Sequence, residues 1–127
     1  MAEIIFRNLC VAGGREDVFV ASAGLDANGE TAQNALDALK ICDEKVPQEK
    51  KKSVRFEPFM ITEYDLIICM TRFIARCVGE HENVKTLDDF VGCGDIPDPF
   101  GYPPDVYIEV CKRLQSALAL LYTKLCN

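Results

Sequence analysis

One loop near the end of the chain combines residues suited to acid–base chemistry with residues that exclude regular structure. Residues 94–105 contain four prolines, two glycines and three aspartates, so neither a helix nor a central strand can run through them. Pro99 holds Asp98 in an extended backbone conformation. The neighbouring Phe100 can exclude water from the carboxyl group, an environment that favours a general acid. From the residues alone, two interpretations stay open: a general acid, or a solvated turn built on Asp and Pro.

Composition and charge restrict the classes of protein to which this chain can belong. Its 127 residues are 49% hydrophobic, which predicts a single folded domain over residues 1–127 with a core of its own. The formal net charge of −6 argues against nucleic acid as a partner, because binding a phosphate backbone requires a basic surface. The sequence shows neither an apolar run long enough for a bilayer nor a secretory leader. We therefore expect a cytoplasmic protein without a membrane partner.

Seven cysteines and a single histidine, His81, set the expectations for metals and redox state. The cysteines show no CxxC spacing and lie mostly in apolar stretches. This pattern predicts reduced thiols in a core, rather than a zinc site or a disulfide scaffold.

The loop must be positioned by elements whose periodicity is readable in the sequence. Apolar residues at helical spacing predict five helices. For the first of these, a strand over residues 4–6 stays open as an alternative. Thr31 is a candidate N-cap of the second helix. The predicted helices are Ala2–Val11, Thr31–Lys40, Glu57–Glu63, Arg72–Val78 and Asp105–Lys124.

Short β-rich runs alternate with these helices. Leu66-Ile67-Ile68 is uninterrupted and apolar, as a buried parallel strand should be. The strands are predicted at Val18–Ser22, Asp65–Met70 and Val84–Leu87. Alternating strands and helices indicate an α/β fold with a parallel sheet, and Thr71 follows a strand at the edge where such sheets bind ligands.

Four segments in this order and spacing resemble the low-molecular-weight protein phosphatases, a family that includes phosphotyrosine enzymes and their bacterial phosphoarginine relatives. Asp98-Pro99-Phe100-Gly101 is similar to the general-acid loop of that family. The other matches are Met1–Arg7 with its first helix, Ser22–Gly24 with the end of its second strand, and Asp65–Thr71 with its third strand and the following turn. The resemblance implies a flavodoxin-like parallel sheet with helices on both faces.

The segment that carries the chemistry of the family is missing from this sequence. That segment is a first strand leading into a loop of the form Cys-(five residues)-Arg-Ser/Thr. Arg15 follows Cys10 one position too early, and Arg76 follows Cys69 one position too late. We therefore expect an N-terminally truncated domain that lacks the nucleophile and the phosphate-binding loop and is inactive as this chain.

The resemblance also implies roles for individual residues. In the family a cysteine thiolate attacks phosphorus, and an aspartate protonates the leaving group and then activates water. Asp98 matches that aspartate. Phe100, Tyr102 and Thr71 match positions that contact a phosphorylated protein substrate, and Thr71 favours the bacterial, phosphoarginine-type branch. Ser22 matches a hydroxyl that supports the phosphate loop. No metal or organic cofactor is implied.

Two further hypotheses remain beside the phosphatase. The chain can be a non-catalytic relative that keeps only binding. An arsenate reductase on the same fold would need the missing nucleophile and two relay cysteines. Cys69 and Cys77 are close in sequence, but Cys69 lies within a predicted strand, which does not suit a mobile relay.

The missing strand would leave a vacant position between Val18–Ser22 and Asp65–Met70. Unpaired backbone groups there would be costly, so something has to fill the gap. We expect residues 4–6 to move in as a strand, or a second copy of the chain to form a homodimer through the vacant position, rather than direct pairing of the two flanking strands.

Overall fold

The computed structural model describes residues 1–26, 32–49 and 52–126. Six helices and two strands form in this part of the chain, and all but one of the predicted elements are present. The candidate cap Thr31 lies outside the described residues. The elements in chain order are α1 Ala2–Ala12, α2 Gln33–Ile41, α3 Met60–Glu63, β1 Ile67–Cys69, α4 Arg72–Val78, β2 Val84–Thr86, α5 Leu87–Val91 and α6 Pro104–Cys126.

The long closing helix α6 forms the centre of the core. It packs against α1, α2 and α5, and its apolar residues recur at the spacing of one helical face. Ile5 of α1 and Leu39 of α2 are 2% and 0% exposed within the same cluster. The buried face of α6 consists of Tyr107, Val110, Cys111, Leu114, Ala117, Leu118 and Leu121.

The regular sheet contains two parallel strands, β1 and β2, in the described part of the chain. Ile67 lies opposite Val84, and Cys69 lies opposite Thr86. The Ile67 amide donates to the Asn83 carbonyl over 2.8 Å, which directs the backbone groups of Ile67 towards β2. Because successive residues of a strand alternate in direction, the amide and carbonyl of Ile68 face the opposite edge. Among the residues that the structure describes, no strand pairs with this edge of β1.

The strand predicted at Val18–Ser22 is wrong. Within the described residues this segment has no regular structure and no bridge to β1. It lies instead against α1, where the Arg7 guanidinium donates to the Val20 carbonyl over 2.6 Å. The physical reason is that no strand pairs with this segment among the described residues, and β-rich residues form a strand only when a neighbouring strand pairs with them. A single parallel bridge, between Gly24 and Arg55, follows the segment.

The start of the chain corrects a second prediction. Residues 4–6 do not move in as a strand, because they lie inside α1 and Ile5 is buried in the core. The apolar stripe of a helix, packed against α6, therefore outweighs the β-branched character of Ile4 and Ile5.

A search of the described residues finds no helix both long and apolar enough to span a membrane.

Candidate functional site

The Asp98 loop is anchored at its start by hydrogen bonds to three helices. The Asp95 carboxylate accepts from the Arg72 amide at the beginning of α4 (3.0 Å). The Asp88 carboxylate of α5 accepts from the Gly94 amide (2.6 Å). Arg113 of α6 donates to the Asp95 carbonyl (3.0 Å). A charged partner makes such hydrogen bonds stronger than neutral ones, so the entry to the loop has a defined position.

A backbone bond and a buried apolar residue continue this anchoring. The Ile96 amide donates to the Met70 carbonyl beyond the end of β1 (2.9 Å), and the Ile96 side chain belongs to the core. The loop therefore passes beside the carboxyl end of β1, the edge at which open α/β sheets bind ligands.

Asp98 itself makes a local turn. Its carboxylate accepts from the Phe100 amide over 3.0 Å, which is the hydrogen bond of an Asx turn. The expectation that Phe100 shields Asp98 from water is wrong in this structure, because Asp98 is exposed and Phe100 is 77% exposed. Tyr102 is 60% exposed and lies in the same loop. The loop thus presents a carboxylate and two aromatic rings to solvent.

The charge of the Asp98 carboxylate influences the pKa of two other groups. Burial lowers the pKa of the Met1 amino group, and negative charge at Cys111, Glu3 and Asp98 acts in the opposite direction. Burial also raises the pKa of the Tyr107 hydroxyl, and the charge of Asp98 raises that pKa further. The charge of Asp98 therefore influences the pKa of the amino group of Met1, which precedes α1, and of Tyr107 in the first turn of α6.

Thr71 has a helix-capping role in the structure. Its hydroxyl accepts from the Ile74 amide over 3.1 Å, and its backbone is extended, as an N-cap requires. The cap satisfies one of the free amides at the start of α4. Thr71 and Asp95 together place two oxygen acceptors on the amides of this helix end.

Ser22 belongs to a polar group centred on Glu3. The Ser22 hydroxyl donates to the Glu3 carboxylate over 2.8 Å, and Arg7 lies 3.1 Å from the same carboxylate. Glu3 is one of the few charged residues in the buried interior. Since Arg7 also binds the Val20 carbonyl, this group fastens the segment before Gly24 to the first turns of α1.

Sequence reasoning missed Glu3, Asp95 and Arg113 as parts of the site. For Glu3 a signal existed, since Glu3 and Arg7 are spaced i, i+4 on a predicted helix, but such pairs are usually surface features. Asp95 and Arg113 act on backbone groups that are distant in sequence. No local pattern reports such a contact.

The cysteine thiols and the side chains that can bind metals are the remaining candidates for chemistry. Cys10 and Cys69 are buried, and burial raises the pKa of both thiols. Such thiols are weak nucleophiles, because the thiolate is the reactive form. Among the residues that the structure describes, no group of three His, Cys, Asp or Glu side chains could hold a metal ion.

A parallel α/β fold with an anchored aspartate loop beside the carboxyl end of β1 defines the class of protein, a phosphatase-like domain. The family model described as "Low molecular weight phosphotyrosine protein phosphatase" matches residues 1–127, and the chain belongs to this family. A protein-arginine-phosphatase of Bacillus subtilis (strain 168) is 31% identical over 134 residues, covering 98% of this chain and 87% of that protein.

Solved structures agree with this assignment. A mutant of YwlE from Bacillus subtilis superposes with a TM-score of 0.86 at 26% identity, covering 99% of this chain and 88% of the other. A low molecular weight protein tyrosine phosphatase from T. tengcongensis gives 0.83 at 25% identity, covering 98% and 88%. Wzb of Vibrio vulnificus, in complex with benzylphosphonate, gives 0.83 at 18% identity, covering 98% and 88%, and shows the shared fold alone. The predicted flavodoxin-like α/β fold is thereby confirmed.

The cap at Thr71 generates a stability prediction. Thr71→Val keeps the shape of the side chain but removes the acceptor for the Ile74 amide, so we expect the free energy of unfolding to fall by about 1 kcal/mol. Thr71→Ser keeps the acceptor and serves as the control. Urea denaturation followed by circular dichroism measures both. Equal stability of the Val and Ser variants would show that the cap contributes nothing.

Proposed function

We propose that this chain carries the general-acid part of a low-molecular-weight protein phosphatase, with Asp98 as the proton donor to the leaving group. The substrate class is a phosphorylated protein, with phosphotyrosine or phosphoarginine as the group hydrolysed. The relationship to a protein-arginine-phosphatase favours phosphoarginine. Phe100 and Tyr102, exposed in the same loop, are proposed to contact the substrate. The proposed location is the cytoplasm.

One observation carries this proposal: the Ile96 amide donates to the Met70 carbonyl over 2.9 Å, which places the Asp98 loop beside the carboxyl end of β1, the edge at which open α/β sheets bind ligands. The charge of Asp98 is also one of the smaller influences on the pKa of the amino group of Met1, the residue that precedes α1. The start of a helix presents free amides and a positive dipole end, which together favour a bound phosphate. In the family, the phosphate loop leads directly into this helix. A phosphate held by residues ahead of Met1 would therefore lie within reach of the Asp98 carboxyl.

The proposed reaction divides between two parts of the protein. A cysteine thiolate ahead of α1 attacks phosphorus, while Asp98 protonates the departing oxygen or nitrogen. The Asp98 carboxylate then takes a proton from water, and the resulting hydroxide releases phosphate from the cysteine. Ser22 is proposed to support the phosphate loop from the side of Glu3.

Cys10 is a poor substitute for the missing nucleophile. It lies nine residues along α1 from Met1, about 14 Å at the rise of an α-helix. It is 3% exposed, and burial raises the pKa of its thiol. Both the distance from the Asp98 loop and the low thiolate fraction argue against catalysis by this residue.

A non-catalytic role is the second candidate. The favouring observation is the sequence itself: no cysteine in residues 1–127 has an arginine six positions on. The chain would then retain the substrate-facing loop without turnover. An arsenate reductase is disfavoured, since burial raises the pKa of Cys69, one of its two candidate relay thiols.

We predict that the polypeptide of residues 1–127 does not hydrolyse small aryl phosphates. General-acid catalysis alone is worth roughly 10²–10⁴-fold, far less than the acceleration of an enzyme. Initial rates with an aryl phosphate measure this. Turnover abolished by replacing one cysteine would reveal an unrecognised nucleophile, and turnover surviving replacement of all seven would reveal an unrelated mechanism.

The role of Asp98 is tested in a chain extended at Met1 by an apolar strand and a Cys-(five residues)-Arg-Ser loop. Asp98→Asn keeps the acceptor for the Phe100 amide but removes the acidic proton. We expect kcat to fall by roughly 10²–10⁴-fold, while KM changes far less, because the proton is donated only in the transition state.

Asp105→Asn is the matched control, since Asp105 is an exposed aspartate in the first turn of α6, directly after the same loop. It should leave kcat nearly unchanged. Equal losses of kcat in the two variants would show that Asp98 acts only as a turn residue.

The open edge of β1 supports a further proposal, a homodimer in which a second copy supplies strand pairing at Ile68. An unpaired strand edge is a template for another chain. Sedimentation velocity of residues 1–127 should show a dimer whose population grows with concentration. A monomer over the whole concentration range would contradict it.

A further inference from the structure

Helices α1 and α6 pack with a register that brings two cysteines together. The rings of Phe6 and Tyr122 meet edge to face with centroids 6.0 Å apart. Residues four apart on a helix share one face, so one turn further on Cys10 follows Phe6 and Cys126 follows Tyr122. Burial raises the pKa of the Cys10 thiol, and Cys126 raises it further, so the two thiols are close enough to influence each other.

The helix ends around this pair are held close. The Arg15 amide donates to the Cys10 carbonyl over 2.9 Å, and the Arg15 guanidinium donates to the Cys126 carbonyl over 2.5 Å. A single residue thus binds the backbone of both cysteines. A methyl group at Gly13 would come within 1.8 Å of the Tyr122 hydroxyl, which shows how little space separates α1 from α6 at this end.

We propose that Cys10 and Cys126 form a modification site at which a low-molecular-weight disulfide, such as oxidised glutathione, converts the two thiols into a cross-link between α1 and α6. The Cys126 thiolate attacks the reagent, which forms a mixed disulfide and releases one glutathione thiolate. The Cys10 thiol then loses its proton and attacks the Cys126 sulfur, which releases the second glutathione. Two protein thiols are oxidised, and one reagent disulfide is reduced to two thiols.

Accessibility fixes the order of these steps. Cys126 is half-exposed at the last turn of α6, whereas Cys10 is buried. The reagent therefore meets Cys126 first, and Cys10 needs no access to solvent, since Arg15 holds the backbone of both cysteines at the same pair of helix ends. The site depends on neither Asp98 nor a phosphate, so it stands apart from the proposed phosphatase chemistry.

A second thiol pair in the core lacks these properties. Cys42 packs against the core cluster that contains Cys111, and Cys111 is 0% exposed. Burial, with Cys42 as a smaller cause, raises the pKa of Cys111 to about 12. Burial raises the pKa of Cys10 in the same direction, so the pKa alone does not separate the two pairs. What distinguishes the first pair is that Arg15 binds the backbone of both Cys10 and Cys126, and on this ground we expect the second pair to stay reduced under the same conditions.

Oxidation would produce a disulfide between Cys10 and Cys126, which closes a loop over most of the chain. In the chain-entropy model such a loop strongly restricts the unfolded state. We therefore expect the oxidised protein to melt at least about 5 °C above the reduced one.

The experiment exposes residues 1–127 to oxidised glutathione and maps tryptic peptides without reduction. Residues 8–15 should be linked to residues 125–127, with the mass of two hydrogens lost. Cys126→Ser should lose both this link and the rise in melting temperature. Cys77→Ser, which removes an exposed cysteine of α4, should keep both.

Three outcomes would overturn the proposal: Cys10 remains reduced, Cys126 stops at a stable mixed disulfide, or Cys10 is linked mainly to another cysteine. If Cys126→Ser does not fold, the peptide map of the unsubstituted protein alone tests the proposal, through the presence or absence of the link between residues 8–15 and 125–127.

Discussion

Burial of one face of α6 is the interaction on which the rest of the structure depends. Leu114, Leu118 and Leu121 pack against residues of α1 and α2, and each such side chain stabilises the fold by about 1.5–3 kcal/mol through removal from water. The same helix holds the start of the Asp98 loop through Arg113. Packing and the candidate site thus share one element, because the helix that anchors the loop also fixes the position of α1.

The second constraint is the edge of β1 with which no strand pairs among the described residues. The backbone groups of Ile67 and Cys69 face β2, and those of Ile68 face the opposite edge, with which no strand pairs among the described residues. The segment at residues 18–22 stays irregular and is held by Arg7 and Glu3 instead of by a ladder. A strand inserted at this position would give both neighbours a partner, and in the family that strand leads into the phosphate loop. The insertion of one strand would therefore both extend the sheet and bring the phosphate loop to the site.

Much of this arrangement could be predicted from the sequence. Helices α4 and α6 were predicted within two residues of their observed ends, because capping residues and a regular apolar stripe mark them. The prediction of a strand at residues 18–22 was wrong. Composition indicates that a segment prefers the β conformation, but it does not show whether a neighbouring strand is present to pair with it. The water-excluding role of Phe100 was also wrong, because burial of a loop side chain depends on tertiary contacts. The bonds from Asp95, Asp88 and Arg113 join backbone groups that no local pattern identifies.

The central claim is that Asp98 donates a proton to a leaving group bound near the start of α1. The dependence of rate on the leaving group tests this most directly. In the chain extended through its phosphate loop, kcat is measured for aryl phosphates whose phenols span a wide range of acidity, both without substitution and in the Asp98→Asn variant. A proton donor matters most for poor leaving groups, so we predict that the loss of rate in the variant grows steadily as the phenol becomes less acidic. A loss of the same size for every phenol would contradict the claim.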